Sequence, residues 1–320
     1  MKIVNLFLSL LFISLVTSCS EKKNKAHDKT KQTQAKEVTA KDILGNPEYL
    51  AISYGGYRTT TREVQPTIEE LKEDMKILHA MGIRILRTYN VRLPHAANVL
   101  KAIKELKAED SDFEMYVMLG AWIDCKNAWT SMLPNHDEES EHNAEEIDRA
   151  VELANQYPDI VKIIAVGNEA MVRWATSYYV QPNVILKWVN HLQDLKREGK
   201  LSKNLWITSS DDFASWGGGD LSYQTVDLEK LIKAVDYVSM HTYPYHNTHY
   251  NPEFWGVFGK ESELPSLEKI DLAMKRALEF AKNQYKSVTN YVKSIDSTKT
   301  IHIGETGWAT VSNGFYGNEG

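Results

Sequence analysis

From residue 48 onward the chain alternates between two rhythms. Short runs rich in apolar and β-branched residues occur at 50–54, 83–89, 113–119, 161–166, 205–209, 237–241 and 300–303. Longer stretches of helical period separate them, and this alternation predicts βα units around a parallel sheet. The helix starts are legible. Thr67-Ile68-Glu69-Glu70 after Pro66 and Asn143-Ala144-Glu145-Glu146 both read as capping boxes, in which a side chain at each end satisfies an orphaned N–H. The first continues with Leu71, Met75, Leu78 and Met81 on one face and stops at Gly82. Further helices are expected over 94–108, 181–198, 227–234 and 266–294.

Seven such units in series predict a (β/α)8 barrel of the TIM type. An open doubly wound sheet is disfavoured because no G-x-G-x-x-G turn follows the first strand. The sequence stops at Gly320, shortly after the seventh strand, so the expectation is a barrel truncated after strand seven, with unpaired strand edges.

The beginning of the chain departs from this rhythm. MKIVNLFLSLLFISLVTSCS has a positive residue at Lys2, an apolar run to Val16, and small or polar residues before Cys19. Residues 1–18 read as an export signal, and Val16-Thr17-Ser18-Cys19 resembles a bacterial lipobox, which implies lipidation of Cys19. The expected location is a membrane-anchored lipoprotein of a bacterial cell envelope, at the outer membrane or periplasmic face. Residues 19–46 carry few large apolar side chains over their first half and read as a flexible tether, with the barrel domain spanning 47–320. Cys125 is the only other cysteine, so no disulfide framework is expected.

Composition narrows the function. The chain is 42% hydrophobic and 25% charged, with a net charge of -6 and no long basic stripe in the domain, which argues against nucleic acid as a partner. Polar chemistry collects where a barrel keeps its active site, at the C-terminal ends of the strands. The fourth strand ends in Val166-Gly167-Asn168-Glu169, and the seventh in Gly304-Glu305-Thr306-Gly307-Trp308. Two carboxyls facing one mouth are the minimum equipment for cleaving a glycosidic bond with retention. Of eight tryptophans, Trp122, Trp129, Trp174, Trp216, Trp255 and Trp308 follow strands three to seven, and an aromatic rim around carboxylates suits sugar rings. About half of them are expected to pack beneath their loops instead.

At these residues the chain resembles glycoside hydrolase family 17, the β-1,3-glucanases of a large retaining clan. That resemblance implies Glu169 as acid/base, Asn168 as its neighbour contacting the sugar 2-hydroxyl, and Glu305 as nucleophile. RILRTYN and HTYPY resemble the family's second and sixth strands and give Arg87, Tyr89 and Tyr243 as further binding residues. His241 is expected as a hydrogen-bonding wall residue, and Trp122, Trp174 and Trp308 as sugar-stacking ones. Burial and a negative neighbour are expected to favour the acid form of Glu169, and hydrogen bonds from Tyr243 or Arg87 to hold Glu305 as the carboxylate. The function implied is endo-hydrolysis of β-1,3-glucan by a monomer without cofactor. Transglycosylation on the same two glutamates, or glycan binding without turnover, remains open.

Other constellations carry less. His246-x-x-His249 lies in a loop-like segment and is taken as loop polarity, so no metal is expected. SSDDFASWGGGD lacks the following Lys-Ser/Thr of a phosphate cradle and reads as a flexible loop bearing Trp216, with Asp211 or Asp212 available to a sugar hydroxyl. A Ser-His-Asp triad finds no G-x-S-x-G elbow.

Overall fold

The computed structural model describes residues 37–308. Seven strands pair in parallel as a nearly closed barrel: β1 (Leu50–Ser53), β2 (Ile83–Arg87), β3 (Tyr116–Ala121), β6 (Val161–Asn168), β7 (Trp206–Asp212), β8 (Val238–His241) and β9 (Ile301–Glu305), neighbours in that order. Between β3 and β6 an antiparallel pair, β4 (Cys125–Lys126) and β5 (Asn135–Glu139), forms an excursion absent from the sequence expectation. Each of its strands is too short and too polar to give a strand signal.

The helices follow the expected units, α2 (Ile68–Ala80), α3 (Pro94–Glu109), α4 (Asn143–Gln156), α5 (Pro182–Arg197), α6 (Val226–Ala234) and α8 (Ser266–Ile295), with one unexpected short helix, α7 (Pro252–Trp255), in the segment read as a loop. The Thr67 box forms as read, with Glu70 N–H donated to the Thr67 hydroxyl at 3.2 Å and Thr67 N–H to the Glu70 carboxylate at 2.8 Å. The Asn143 box does not form. Asn143 instead grips the backbone of Asp124, and the buried Glu146 accepts the N–H groups of Val91 (2.7 Å) and Trp122 (3.0 Å). The two polar side chains that resembled a cap are spent on fixing the loops after β2 and β3, because buried N–H groups there have no ladder partner.

Strand residues sort with period two. Leu86, Val117, Leu119, Ile164, Val166 and Met240 pack with the helices in the main core, while Ile85, Tyr116, Met118, Ile163, Ala165 and Tyr237 form two clusters inside the barrel. The interior clusters are completed by α1 (Ala40–Ile43), whose Ala40 packs with Met118, Ile163, Ala165 and Tyr237 and whose Ile43 packs with Ile85 and Tyr116. This corrects the tether boundary: residues 37–46 belong with the barrel, where Ala40 and Ile43 are buried and Val38 and Leu44 pack against the same clusters. The remainder of the expected tether, the export signal and Cys19 lie outside the described residues. Among the described residues no helix is long and apolar enough to cross a membrane.

β1 and β9 are the edges of the described sheet, and Leu50, Ile52 and Ile303 on them are exposed.

Candidate active site

The mouth of the barrel is shaped by two bulges. Between β6 and β7 the register shifts from Ala165↔Thr208 to Asn168↔Ser210, and between β8 and β9 from Met240↔Ile303 to His241↔Glu305. A bulge inserts one residue and re-aims the side chains beyond it, and here it brings Glu169 and Glu305 toward one point. Steric crowding accounts for the glycines before them. Gly167 adopts φ +83°, and a Cβ there would lie 2.8 Å from that of Ala170. Gly304 has an ordinary φ, but a Cβ would lie 2.0 Å from the Ser239 hydroxyl. Glu169 itself sits at φ 45°, a conformation costing about 1–3 kcal/mol in a residue other than glycine, and its N–H bonds Ser210 O at 2.9 Å.

The two carboxyls meet different partners. Glu305 forms a buried ion pair with Nη1 of Arg87, the last residue of β2, and accepts the Tyr243 hydroxyl at 2.8 Å. The other fork of Arg87 donates to Oδ1 of Asn168 at 2.5 Å, and its guanidinium lies over the Tyr89 ring at 4.9 Å. One cation therefore fixes Glu305, orients the Asn168 amide and is backed by Tyr89. Burial and the Glu305 charge push the Tyr243 hydroxyl well above its usual range, so it remains a donor. Among the described residues Glu169 has no such arginine or lysine partner: burial raises its pKa against the opposing pull of Arg87 and His246.

His241 stands between them. It is fully buried, with Nδ1 3.0 Å from Glu169 and 3.4 Å from Glu305, and Nε2 2.7 Å from the Ser210 hydroxyl. Burial drives its pKa down to about 3, so the ring is neutral at physiological pH and carries one N–H. Donor atoms of Glu169, His241 and Glu305 all lie within 4.8 Å of one another. Such a set resembles a cation site, but the Arg87 guanidinium already supplies the compensating charge at Glu305.

A cavity of about 600 Å³ opens beside the carboxyls. Trp174 and Trp308 line it as expected, Trp308 stacking on Tyr245 with ring centres 5.0 Å apart. Trp122 does not line it; its indole N–H bonds Asp124 at 2.6 Å, on the β3 side of the mouth. Trp216 is buried beneath its loop and donates to Ser239 O at 2.9 Å, while a Cβ at Gly217 or Gly218 would collide with Tyr291 or Val288 of α8. The expected flexible loop is thus a tight turn packed on a helix. Asp212 faces the cavity with its pKa pushed up to about 6 by burial, whereas Asp211 is fully enclosed, accepts Met171 N–H at 2.8 Å, and is pushed up to about 8. Sequence reasoning missed Ser210 as the partner of His241, and Tyr245, Asn247 and Tyr250 as lining. Ser210 was detectable as a hydroxyl two residues from Thr208 on one strand face, and the others as a density of aromatic and polar residues in HTYPYHNTHY.

A parallel barrel with two close carboxyls, an arginine clamp and aromatic walls at the strands' C-terminal ends defines a glycosidase. Residues 51–319 match the BtgE/BtgC glycoside hydrolase domain, and the chain belongs to that family. It is similar to an endo-laminarinase from Formosa Hel1_33_131, with 72% identity, TM-score 0.86, and coverage of 88% of this chain and 72% of that one. It also shares its fold with CJP38, a β-1,3-glucanase and allergen of Cryptomeria japonica pollen, at 15% identity, TM-score 0.51, and coverage of 82% of this chain and 76% of that one. No curated protein is detectably similar in sequence.

Proposed function

We propose that this chain hydrolyses internal bonds of linear β-1,3-glucan with retention, Glu169 acting as acid and then base and Glu305 as nucleophile. The observation that carries the reading is that an oxygen of each carboxyl lies within 4.8 Å of one of the other, Glu305 being clamped by Arg87 and Tyr243 and Glu169 raised in pKa by burial. Retention needs carboxyls about 5–5.5 Å apart, whereas inversion needs room for a water between them at about 6.5–9.5 Å. The β-1,3 linkage and internal cleavage are supported by the 72% identity to an endo-laminarinase.

In the first step Glu169 gives its proton to the glycosidic oxygen as Glu305 attacks the anomeric carbon, forming a glycosyl ester and releasing the shortened chain. In the second Glu169, now ionised, takes a proton from water, which displaces Glu305. Arg87, Tyr243 and the Asn168 amide hold the nucleophile and the sugar's neighbouring hydroxyl. His241 donates its single proton toward the carboxylates without itself charging.

The apolar run before Cys19 supports export and a lipid anchor, which Cys19→Ala would release into the soluble fraction. The catalytic reading is tested by the products formed from end-labelled β-1,3-gluco-oligosaccharides. Shorter products lost in Glu305→Gln are expected, products longer than the substrate would establish transfer, and near-normal turnover by Glu305→Gln would end the assignment.

A further inference from the structure

The β3 side of the mouth carries a second aromatic construction. Trp122 and Trp129 both donate their indole N–H to one oxygen of the buried Asp124, at 2.6 and 3.2 Å. Asp124 is itself locked to α4, its backbone N–H and C=O paired with the side chain of Asn143 at 3.0 and 2.9 Å. Tyr178 lies against both indoles, stacked on Trp129 at 5.0 Å and 23° and tilted to Trp122 at 5.4 Å. Trp129 is nonetheless 61% exposed, and its backbone stands at φ 60°.

An indole that served as packing would not be arranged in this way. A core tryptophan is rewarded by the area it removes from water; this one keeps most of its surface wet while holding a backbone conformation that costs about 1–3 kcal/mol. One ring face is taken by Tyr178, and the other is presented to solvent on a frame of hydrogen bonds that leaves it little freedom. A rigid exposed aromatic face is what a sugar ring's C–H groups stack on, at small entropic cost.

The position identifies the sugar. Trp122 directly follows β3, which pairs with β2 (Arg87) on one side and β6 (Glu169 beyond its end) on the other. The segment between β6 and α5 supplies both Trp174, at the cavity, and Tyr178, at the platform. We propose that the Trp129–Tyr178 platform is a distal binding site for the same glucan chain, holding residues that extend past the cavity on the β3 side. The inference rests on the reading of the cavity as a glucan-cleaving site, and adds that chain length is sensed at Trp129.

The test compares wild type with Trp129→Gly, chosen because glycine accepts φ 60° without strain, and with Trp129→Phe, which keeps a smaller face. With linear β-1,3-gluco-oligosaccharides, the ratio of kcat/KM for a decasaccharide to that for a tetrasaccharide should fall about tenfold in Trp129→Gly, through KM, and be partly restored in Trp129→Phe. An unchanged ratio, or equal losses at both lengths, overturns the proposal. Native gels containing soluble β-1,3-glucan, β-1,4-glucan or α-1,4-glucan, run in the Glu305→Gln background, give a readout independent of turnover. Retardation that disappears with Trp129→Gly supports the platform even if wild type cleaves none of these glucans, which would refute the cavity reading alone. Retardation by no glucan, or retardation indifferent to Trp129, overturns it.

Discussion

Gly304→Ala concentrates the physics of the site in one methyl group. The added Cβ would stand 2.0 Å from the Ser239 hydroxyl and 2.9 Å from that of Ser210, so the nearer contact falls about 1.4 Å short of ordinary packing distance. The hydroxyls cannot retreat cheaply, because Ser239 and Ser210 are bonded to each other at 2.9 Å and Ser210 bonds His241 Nε2 at 2.7 Å. Overpacking of this kind costs about 1–3 kcal/mol, a fall of a few degrees in Tm. The larger effect is positional. If β9 yields, Glu305 moves by about 1 Å from its place against Arg87 and Tyr243, which costs about a hundredfold in kcat. The assay is kcat on a β-1,3-gluco-oligosaccharide beside a thermal melt, for Gly304→Ala, Ser239→Ala and the double variant. Removing the Ser239 hydroxyl takes away the 2.0 Å clash and leaves the lesser conflicts with the Ser210 hydroxyl at 2.9 Å and the Ser239 Cβ at 3.3 Å, so the double variant should regain about tenfold over Gly304→Ala without reaching wild type. Wild-type kcat in Gly304→Ala, or a double variant no better than the single, would refute the reasoning.

Protonation sets two further expectations. Burial raises the pKa of Glu169, so the alkaline limb of kcat/KM should lie above the ordinary carboxylic range; Glu169→Gln should remove that limb and spare substrates whose leaving group needs no proton, and a limb that persists in the variant would assign it elsewhere. Asp211, at about 8 in the folded chain against 3.8 unfolded, keeps a proton that the unfolded chain has lost, so its contribution to stability declines as pH rises from about 4 and stops declining above about 8. Melting temperatures of wild type and Asp211→Asn across pH 5–9 should therefore converge or cross, with the shallower fall in the variant; parallel curves would count against the buried acid.

The chain by itself determined the βα rhythm, the seven strands and the two glutamates. Strand positions follow from short apolar runs and helix positions from a 3.6-residue stripe, both local properties of the chain. Glu169 and Glu305 were legible because each follows a strand end beside a glycine, and parallel strands bring all such ends to one mouth. Arg87, Tyr89 and Tyr243 came with them from motifs and His241 as a hydrogen-bonding wall residue, and all four meet at the carboxyls.

Other features were decided only in three dimensions. Asn143 and Glu146 wear the pattern of a helix cap, yet they are spent on loop N–H groups that tertiary packing deprived of water. Residues 40–43 look like tether by composition, but Ala40 and Ile43 became worth burying once the barrel offered apolar clusters for them to complete. Among the tryptophans, sequence put Trp174 and Trp308 at the cavity but could not sort Trp122 beside Asp124, Trp216 under its loop and Trp129 in the open. Whether an indole faces core, cleft or solvent depends on groups tens of residues away, and on the bulges that turn each strand end. Local pattern fixes which segments are strands and helices; only the closed set of contacts fixes where a side chain points.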